Sequence, residues 1–213
     1  MLVEIHMHTE HSHDGVNRFE DIERIGAERG IGAFAVTDHD TIEGAVRLRD
    51  RGKVGVIVGE EISTAFGDVI GLFLEKPIPP GLAPEATMDA VHEQGGLVYI
   101  PHPFDRKRKS RLFREAIDRC IDRIDLFEVW NGRVCHQPDN ERAARYAREH
   151  GLIAAYGSDA HKPRELGRVL MEVEEFDGAG SFRAAVRSGR ALFPERDPDG
   201  PFRRLIGRFR GGS

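Results

Sequence analysis

Glu4-Ile5-His6-Met7-His8-Thr9, followed by Asp14-Gly15, is the stretch on which the reading of this 213-residue chain turns. The apolar run at residues 2–5 predicts a buried strand. Strand side chains alternate between faces, so His6 and His8 point the same way from it. Two imidazoles on one face, with a carboxylate six residues later, suit a divalent metal such as Zn, Mn or Fe. Alone, an H-x-H is a weak signal. Here it is repeated in kind by Thr37-Asp38-His39-Asp40, Gly59-Glu60-Glu61-Ile62-Ser63, Pro101-His102-Pro103 and Gly157-Ser158-Asp159-Ala160-His161. Each group directly follows an apolar, strand-like run.

Those runs, at residues 2–5, 31–36, 54–58, 69–74, 97–100, 124–129 and 152–156, predict seven buried strands. Helices with readable ends lie between several of them. Asn17 with Glu20 has the form of a capping box, Phe19, Ile22 and Ile25 supply a buried stripe, and Gly30 fits the stop. Pro84 and Pro138 stand at helix starts, and Gly95 and Gly151 end the helices that follow. The run at 69–74 follows Glu61 too closely for a helix, which predicts a hairpin there. Strands joined by helical crossovers could close into a barrel or stay an open sheet. The chemistry decides for the barrel, where functional side chains come from the carboxyl ends of several strands.

With 39% hydrophobic and 31% charged residues the chain reads as one soluble globular unit with a sizeable core. A net charge of -5 gives no global attraction to nucleic acid, so any such contact needs a local basic patch. Cys120 and Cys135 make neither a disulfide framework nor a Cys-based zinc site, and Cys120 is expected in the core. A cytoplasmic location is the expectation, with no signal peptide, no membrane span and no obligatory protein partner.

His6, His8, Asp14, His39, Glu61, His102, Asp159 and His161 are eight candidate ligands, more than one ion needs. The count favours two or three ions, with Glu61 as the natural bridge between two of them. The chain resembles the polymerase and histidinol phosphatase (PHP) family of metal-dependent phosphoesterases. The matching residues are His6-Met7-His8-Thr9 with Asp14-Gly15, Thr37-Asp38-His39-Asp40-Thr41, Glu61-Ile62-Ser63, His102-Pro103 and Gly157-Ser158-Asp159-Ala160-His161. The resemblance implies an α/β fold, a distorted (β/α)7 barrel of PHP type, over residues 1–195; a compositional shift after Pro194 marks off a basic Pro/Gly/Arg-rich tail at 196–213. It implies hydrolysis of phosphoesters by a metal-activated water with up to three ions of Mn, Zn or Fe. By analogy, His6, His8, Glu61 and Asp159 hold one ion, Glu61 and His102 a second, and Asp14, His39 and His161 a third. The family usually has another histidine on the strand after the bridging glutamate. This chain reads Asp68-Val69-Ile70-Gly71-Leu72-Phe73 there, which leaves the second ion one ligand short unless water, substrate or Cys135/His136 fills the gap.

Glu61, as the bridge, is grouped with His11 and His13 as catalytic candidates, the two histidines as proton donors. Glu4, Asp38 and Asp40 are candidates for orienting ligand imidazoles, and one of the two aspartates could instead cap a helix near Thr41. His92 and His150 fall on helices and read as structural. The run Asp105-Arg106-Lys107-Arg108-Lys109-Ser110-Arg111 directly follows His102-Pro103, so Arg106, Lys107 and Arg108 are expected to clamp phosphates at the rim, with Asn131 a further substrate-binding candidate. In the tail, Arg203, Arg204, Arg208 and Arg210 alternate with apolar residues and predict an amphipathic basic helix. Short oligonucleotides or nucleotide bisphosphates are the expected substrates. A small-molecule phosphatase acting on histidinol phosphate or a similar monoester is the alternative, as is a catalytically degenerate, metal-binding regulatory module. A carbon–nitrogen hydrolase ranks lower, because no lysine follows a suitable strand.

Overall fold

All seven apolar runs become strands, lying side by side in the order in which they occur. The computed structural model describes residues 1–193. Within them β1 (Leu2–Met7), β2 (Ile31–Val36), β3 (Gly55–Thr64), β4 (Gly67–Leu72), β5 (Leu97–Ile100), β6 (Leu126–Asn131) and β7 (Ala154–Gly157) are successive neighbours. The outer edge of β1 is shared. Leu2 and Val3 pair antiparallel with β8 (Leu170–Glu172), while Met7 bridges to Ala160 just beyond β7. There His8 N donates to Ala160 O at 2.9 Å and Ala160 N to His6 O at 3.3 Å. The sheet thus closes on itself as a distorted seven-stranded β/α barrel. The short strands β8 and β9 (Arg190–Leu192) lie outside that ring and were not anticipated.

β3 carries two pairings. Its first half runs parallel to β2, and from Gly59 to Thr64 it pairs antiparallel with β4 through the expected hairpin. Glu61 therefore projects from inside a strand, opposite Ile70, instead of from a strand end. β4 is antiparallel to β5 as well, so one strand of the ring runs against the others.

One apolar cluster draws residues from every strand between β1 and β8, including Val3, Ala33, Ile57, Leu72, Tyr99 and Leu126, and fills the barrel interior. A second lies between the outer faces of the strands and α1 (Phe19–Arg29), α2 (Glu43–Arg51), α3 (Pro84–Glu93), α4 (Arg114–Arg119) and α5 (Gln137–Glu149). Phe182 of α6 (Ala179–Ser188) joins the inner cluster, burying its ring where α1–α5 contribute nothing. At roughly 25 cal/mol per Å² of apolar area, these two layers supply most of the drive to fold.

Gly30 ends α1 in the left-handed region (φ 65), as expected. The capping box does not form. The N-cap of α1 is Arg18, without a side-chain bond, and Asn17 is buried. Asn17 Nδ2 donates instead to His8 O at 2.7 Å and to Ala160 O at 2.9 Å. Buried carbonyls at the barrel seam have no water to turn to, whereas the exposed first turn of α1 does, so the seam takes the amide. Both cysteines are free, Cys120 buried as expected. No helix among the described residues is long and apolar enough to cross a membrane. The tail at 196–213, with Arg203, Arg204, Arg208 and Arg210, lies outside the described residues.

Candidate metal centre

The ligand candidates converge where β1, β2, β3, β5 and β7 meet. His6 Nε2 and His8 Nε2 lie 3.3 Å apart, and each is 3.2 Å from Glu61 Oε2. Asp159 Oδ1 is 3.7 Å from His6 Nε2 and 3.5 Å from His8 Nε2. Four donors about 2.1 Å from one tetrahedral ion are separated by roughly 3.4 Å, so this spacing fits a single shared cation. The other oxygen of Glu61, Oε1, lies 3.0 Å from His102 Nε2. Beyond His8, His161 Nε2 is 2.9 Å from Asp14 Oδ2, and His39 Nε2 is 3.8 Å from the same oxygen. Ligand atoms of His8, Asp14, His39 and His161 all lie within 4.8 Å of one another. The eight residues thus gather as three overlapping groups, with Glu61 turned toward two of them.

Charge distribution suits a cationic occupant. Burial alone would raise the Glu61 carboxyl, but His102, His6 and His8 hold it well below the usual range. Asp159 is likewise held well below by Arg108 and His6 despite complete burial. His8 would be lowered by burial; Asp159 and Glu61 outweigh that and carry it to about 9. Asp159 Oδ1 and Asp68 Oδ2 are buried without a hydrogen-bond partner. Unpaired buried carboxylate oxygens are costly unless a cation meets them.

The orienting groups are mostly ones the sequence did not disclose. Glu128 on β6 is fully buried and receives four contacts: His6 Nδ1 at 3.0 Å, Tyr99 OH at 2.6 Å, His102 N at 2.6 Å and Asn131 Nδ2 at 2.9 Å. A carboxylate on the second ring nitrogen fixes the ring and raises its basicity as a ligand. The signal was present as one of two carboxylates, with Asp125, inside the apolar run 124–129. Ser12 Oγ similarly lies 3.3 Å from His8 Nδ1 and donates to Asp14 Oδ1 at 3.1 Å. Gly157 makes room for this packing, since a Cβ there would lie 2.4 Å from Glu128 Oε1 and 2.7 Å from His6 Cβ. His102 (φ 30) and Asp159 (φ 54) have left-handed backbones immediately past their strands, a strain of about 1–3 kcal/mol each.

Other expectations are redistributed. Asp38 accepts from Thr9 N at 2.6 Å and Thr9 Oγ1 at 2.7 Å, anchoring the loop after β1 and touching no imidazole. Asp40 accepts from Ser63 N at 2.7 Å, and Glu4 holds Ser158 and Gly167. Asn131 was expected to face substrate, yet it is buried, and its amide donates to Glu128 and to Asp159 Oδ2 at 3.1 Å. That makes it a positioning group. The His13 ring lies 4.9 Å from that of His39, at the centre, whereas His11 stacks on Phe19 with centroids 5.5 Å apart. His92 pairs with Asp125, and His150 packs on Tyr146.

The basic run divides. Arg106 is committed to Asp139 at the start of α5, with Nη2 2.8 Å from Oδ1, and Lys107 is exposed. Arg108 turns inward, its guanidinium bonded to Asp159 Oδ2. Cys135 and His136 stay out of the ligand groups; Cys135 bonds Arg133 O, and His136 is the N-cap of α5. The residue that does approach the gap beside His102 is Asp68, which no expectation included. Burial and the charge of Glu61 raise its carboxyl to about 7.

The PHP domain model matches residues 4–120, and the PHP-associated model matches residues 137–191. An uncharacterised protein of Methanocaldococcus jannaschii is 33% identical over 180 residues, covering 83% of this chain and 72% of that protein. The 5'-3' exoribonuclease Rnm of Salmonella typhimurium is 32% identical over 148 residues, covering 60% of this chain but only 48% of its own length. Among solved structures, a two-domain protein from Bacteroides vulgatus with a PHP-like metal-dependent phosphoesterase superposes with a TM-score of 0.70 at 18% identity. It covers 91% of this chain and 64% of that one. The chain belongs to the PHP domain family of metal-dependent phosphoesterases, hydrolases that act on phosphoric ester bonds.

Proposed function

We propose that the chain hydrolyses short oligonucleotides or nucleotide bisphosphates at a centre of two or three divalent ions, Mn, Zn or Fe. The residues holding them are His6, His8, Asp14, His39, Glu61, His102, Asp159 and His161. Ions there supply Lewis acidity toward the phosphoryl oxygens and a water nucleophile at neutral pH. Glu61 sets the spacing between two of the groups. His13, beside His39, is placed to hand a proton to the leaving oxygen. Arg108 supplies a cation at the edge of the centre for a non-bridging phosphate oxygen, and its planar fork suits a phosphate better than an ammonium would.

The observation that carries the substrate class is the surface formed by the loop that follows His102-Pro103. A cleft of about 410 Å³ opens beside Pro103, lined by Arg106, Arg111, Arg114 and Arg142 against the carboxylates of Glu115 and Asp139, together with Phe104 and Phe113. Four arginines against two carboxylates leave this surface net basic, and with the exposed ring of Phe113 beside them it favours a backbone of several phosphates carrying bases over a lone monoester. Similarity to Rnm, an exoribonuclease, supports the same reading.

Elemental analysis of the purified protein should give two or three transition-metal ions per chain. With Mn supplied, short 5'-phosphorylated oligoribonucleotides or nucleoside bisphosphates should exceed histidinol phosphate in kcat/KM. At most one ion at full occupancy would end the cluster reading, and a preference for histidinol phosphate would replace the substrate class.

A second measurement isolates the rim. Changing Arg106 and Lys107 together to alanine leaves Arg108 in place at Asp159. Each lost exposed contact should cost about 1 kcal/mol, or about fivefold in KM for an oligonucleotide, and less at high salt. p-Nitrophenyl phosphate has no distal phosphate, so its KM should hold. Equal effects on both substrates would return this loop to the solvated surface.

A further inference from the structure

We propose that Asp68 is a metal ligand in its own right, completing with Glu61 and His102 an oxygen-rich ion site that prefers Mn2+ to Zn2+. The inference rests on the reading that the centre holds ions. It goes beyond that reading by supplying the ligand that the second site lacked and by giving this site a different chemistry from its neighbours.

The hairpin brings Asp68 to this position. In the β3–β4 ladder Glu61 faces Ile70 and Ser63 faces Asp68, so Glu61 and Asp68 are diagonal neighbours on one face. Diagonal pairs lie within reach of side chains of this length. The loop that follows His102 returns to the same strand, where Asp68 N donates to Ser110 O at 2.7 Å. One backbone bond thus holds together the strand carrying Asp68 and the loop carrying His102. Ligand atoms of Glu61, Asp68 and His102 all lie within 4.8 Å of one another.

Asp68 is 4% exposed, and its Oδ2 has no hydrogen-bond partner. The Ser110 hydroxyl and, at longer range, Arg108 offset part of its charge, while Glu61 and Asp40 oppose it. A buried carboxylate facing another carboxylate, with a free oxygen, is a poor structural choice unless a cation lies between them. Among the described residues nothing else joins Glu61 and His102 in a ligand group with Asp68, and Cys135 and His136 sit at the start of α5.

The donor sets then differ. Two carboxylates and one imidazole face the Asp68 site, whereas three imidazoles and one carboxylate form the group of His8, Asp14, His39 and His161. Carboxylate oxygen suits Mn2+ and Mg2+, and imidazole suits Zn2+ and Fe2+. Had this strand presented a histidine, as the family resemblance leads one to expect, both groups would favour nitrogen-seeking ions.

The test compares the full chain with Asp68→Asn and Asp68→His. Mn2+ titration of the metal-free proteins, followed by calorimetry and by electron paramagnetic resonance of bound Mn2+, counts sites and affinities without using turnover. The parent should bind one more Mn2+ than Asp68→Asn, or bind its last Mn2+ at least about tenfold more tightly. Asp68→His should recover the ion count with Zn2+ and not with Mn2+. Metal-free Asp68→Asn should melt above the metal-free parent, because the repulsion with Glu61 is gone, and should gain less on adding Mn2+. An equal ion count, equal Mn2+ affinities and an equal Mn2+-induced rise in Tm would overturn the proposal. Should a variant fail to fold, anomalous scattering from Mn-loaded parent crystals decides: a Mn peak between Asp68, Glu61 and His102 supports it, and its absence at full occupancy elsewhere rejects it. A parent that binds no ions at all would defeat the underlying reading instead.

Discussion

Replacing Glu61 by glutamine is expected to lower kcat/KM by more than about a hundredfold and to remove at least one bound ion. Groups that only orient metal ligands typically change metal affinity or activity by about 10–100-fold when lost. Glu61 stands one layer further in. Its Oε2 lies 3.2 Å from His6 Nε2 and from His8 Nε2, while Oε1 lies 3.0 Å from His102 Nε2, so its two oxygens face different ligand groups. Glutamine has nearly the same volume but offers one oxygen, no negative charge, and an NH2 directed at imidazole nitrogens that must themselves coordinate. The substitution should leave the fold intact, since it creates no cavity in either apolar layer. Stability is expected to fall chiefly through the lost ion, whose binding free energy adds to that of folding. Kinetics on a phosphodiester, ions per chain and circular dichroism measured together check this. Near-normal turnover with a full ion complement would remove Glu61 from the bridging position.

The residues legible in the sequence were those whose chemistry and spacing both carry information. His6 and His8 could be placed on one side of a strand because the strand period is two, and His102 and Asp159 because each follows an apolar run. The barrel followed from needing those strand ends at one point. What escaped depends on pairing. Asp68 reaches the site only because β4 runs antiparallel to β3, so that Ser63 faces Asp68 and Glu61 lies on the diagonal; a run of residues does not disclose its partner's register. Arg106 and Arg108 look equivalent in a basic run, yet Asp139 on α5 captures one and Asp159 the other. Asn17 had the form of a helix cap, and a buried seam 143 residues away in sequence claimed its amide. Glu128 was the omission that sequence reasoning could have avoided, because a carboxylate flanked by Phe127 and Val129 in a doubly buried strand needs partners of its own.

Glu128 also explains how the strained ligand positions persist. His102 has φ 30, and its N–H is received by Glu128 Oε2 at 2.6 Å. Asp159 has φ 54, and Asn131, itself held by Glu128, donates to its Oδ2 at 3.1 Å. One carboxylate therefore stabilises a ligand ring, a strained ligand backbone and the amide that steadies another. Glu128→Leu is expected to destabilise the protein by about 3–5 kcal/mol, the range for removing one partner from a buried charged network. The donors of His6, Tyr99, His102 and Asn131 would all lose their acceptor. Metal affinity should fall by about 10–100-fold as His6 and His102 lose their fixed orientation. Tyr99→Phe removes one of the four contacts and leaves the carboxylate, so it should cost only about 1 kcal/mol with near-normal ion content. Denaturant unfolding of both variants, with and without Mn2+, separates the two contributions. If Glu128→Leu were no less stable than Tyr99→Phe and bound ions as the parent does, Glu128 would be a passive buried charge, and the support for the left-handed backbones of His102 and Asp159 would have to come from Pro103 and the Ser158–His161 loop alone.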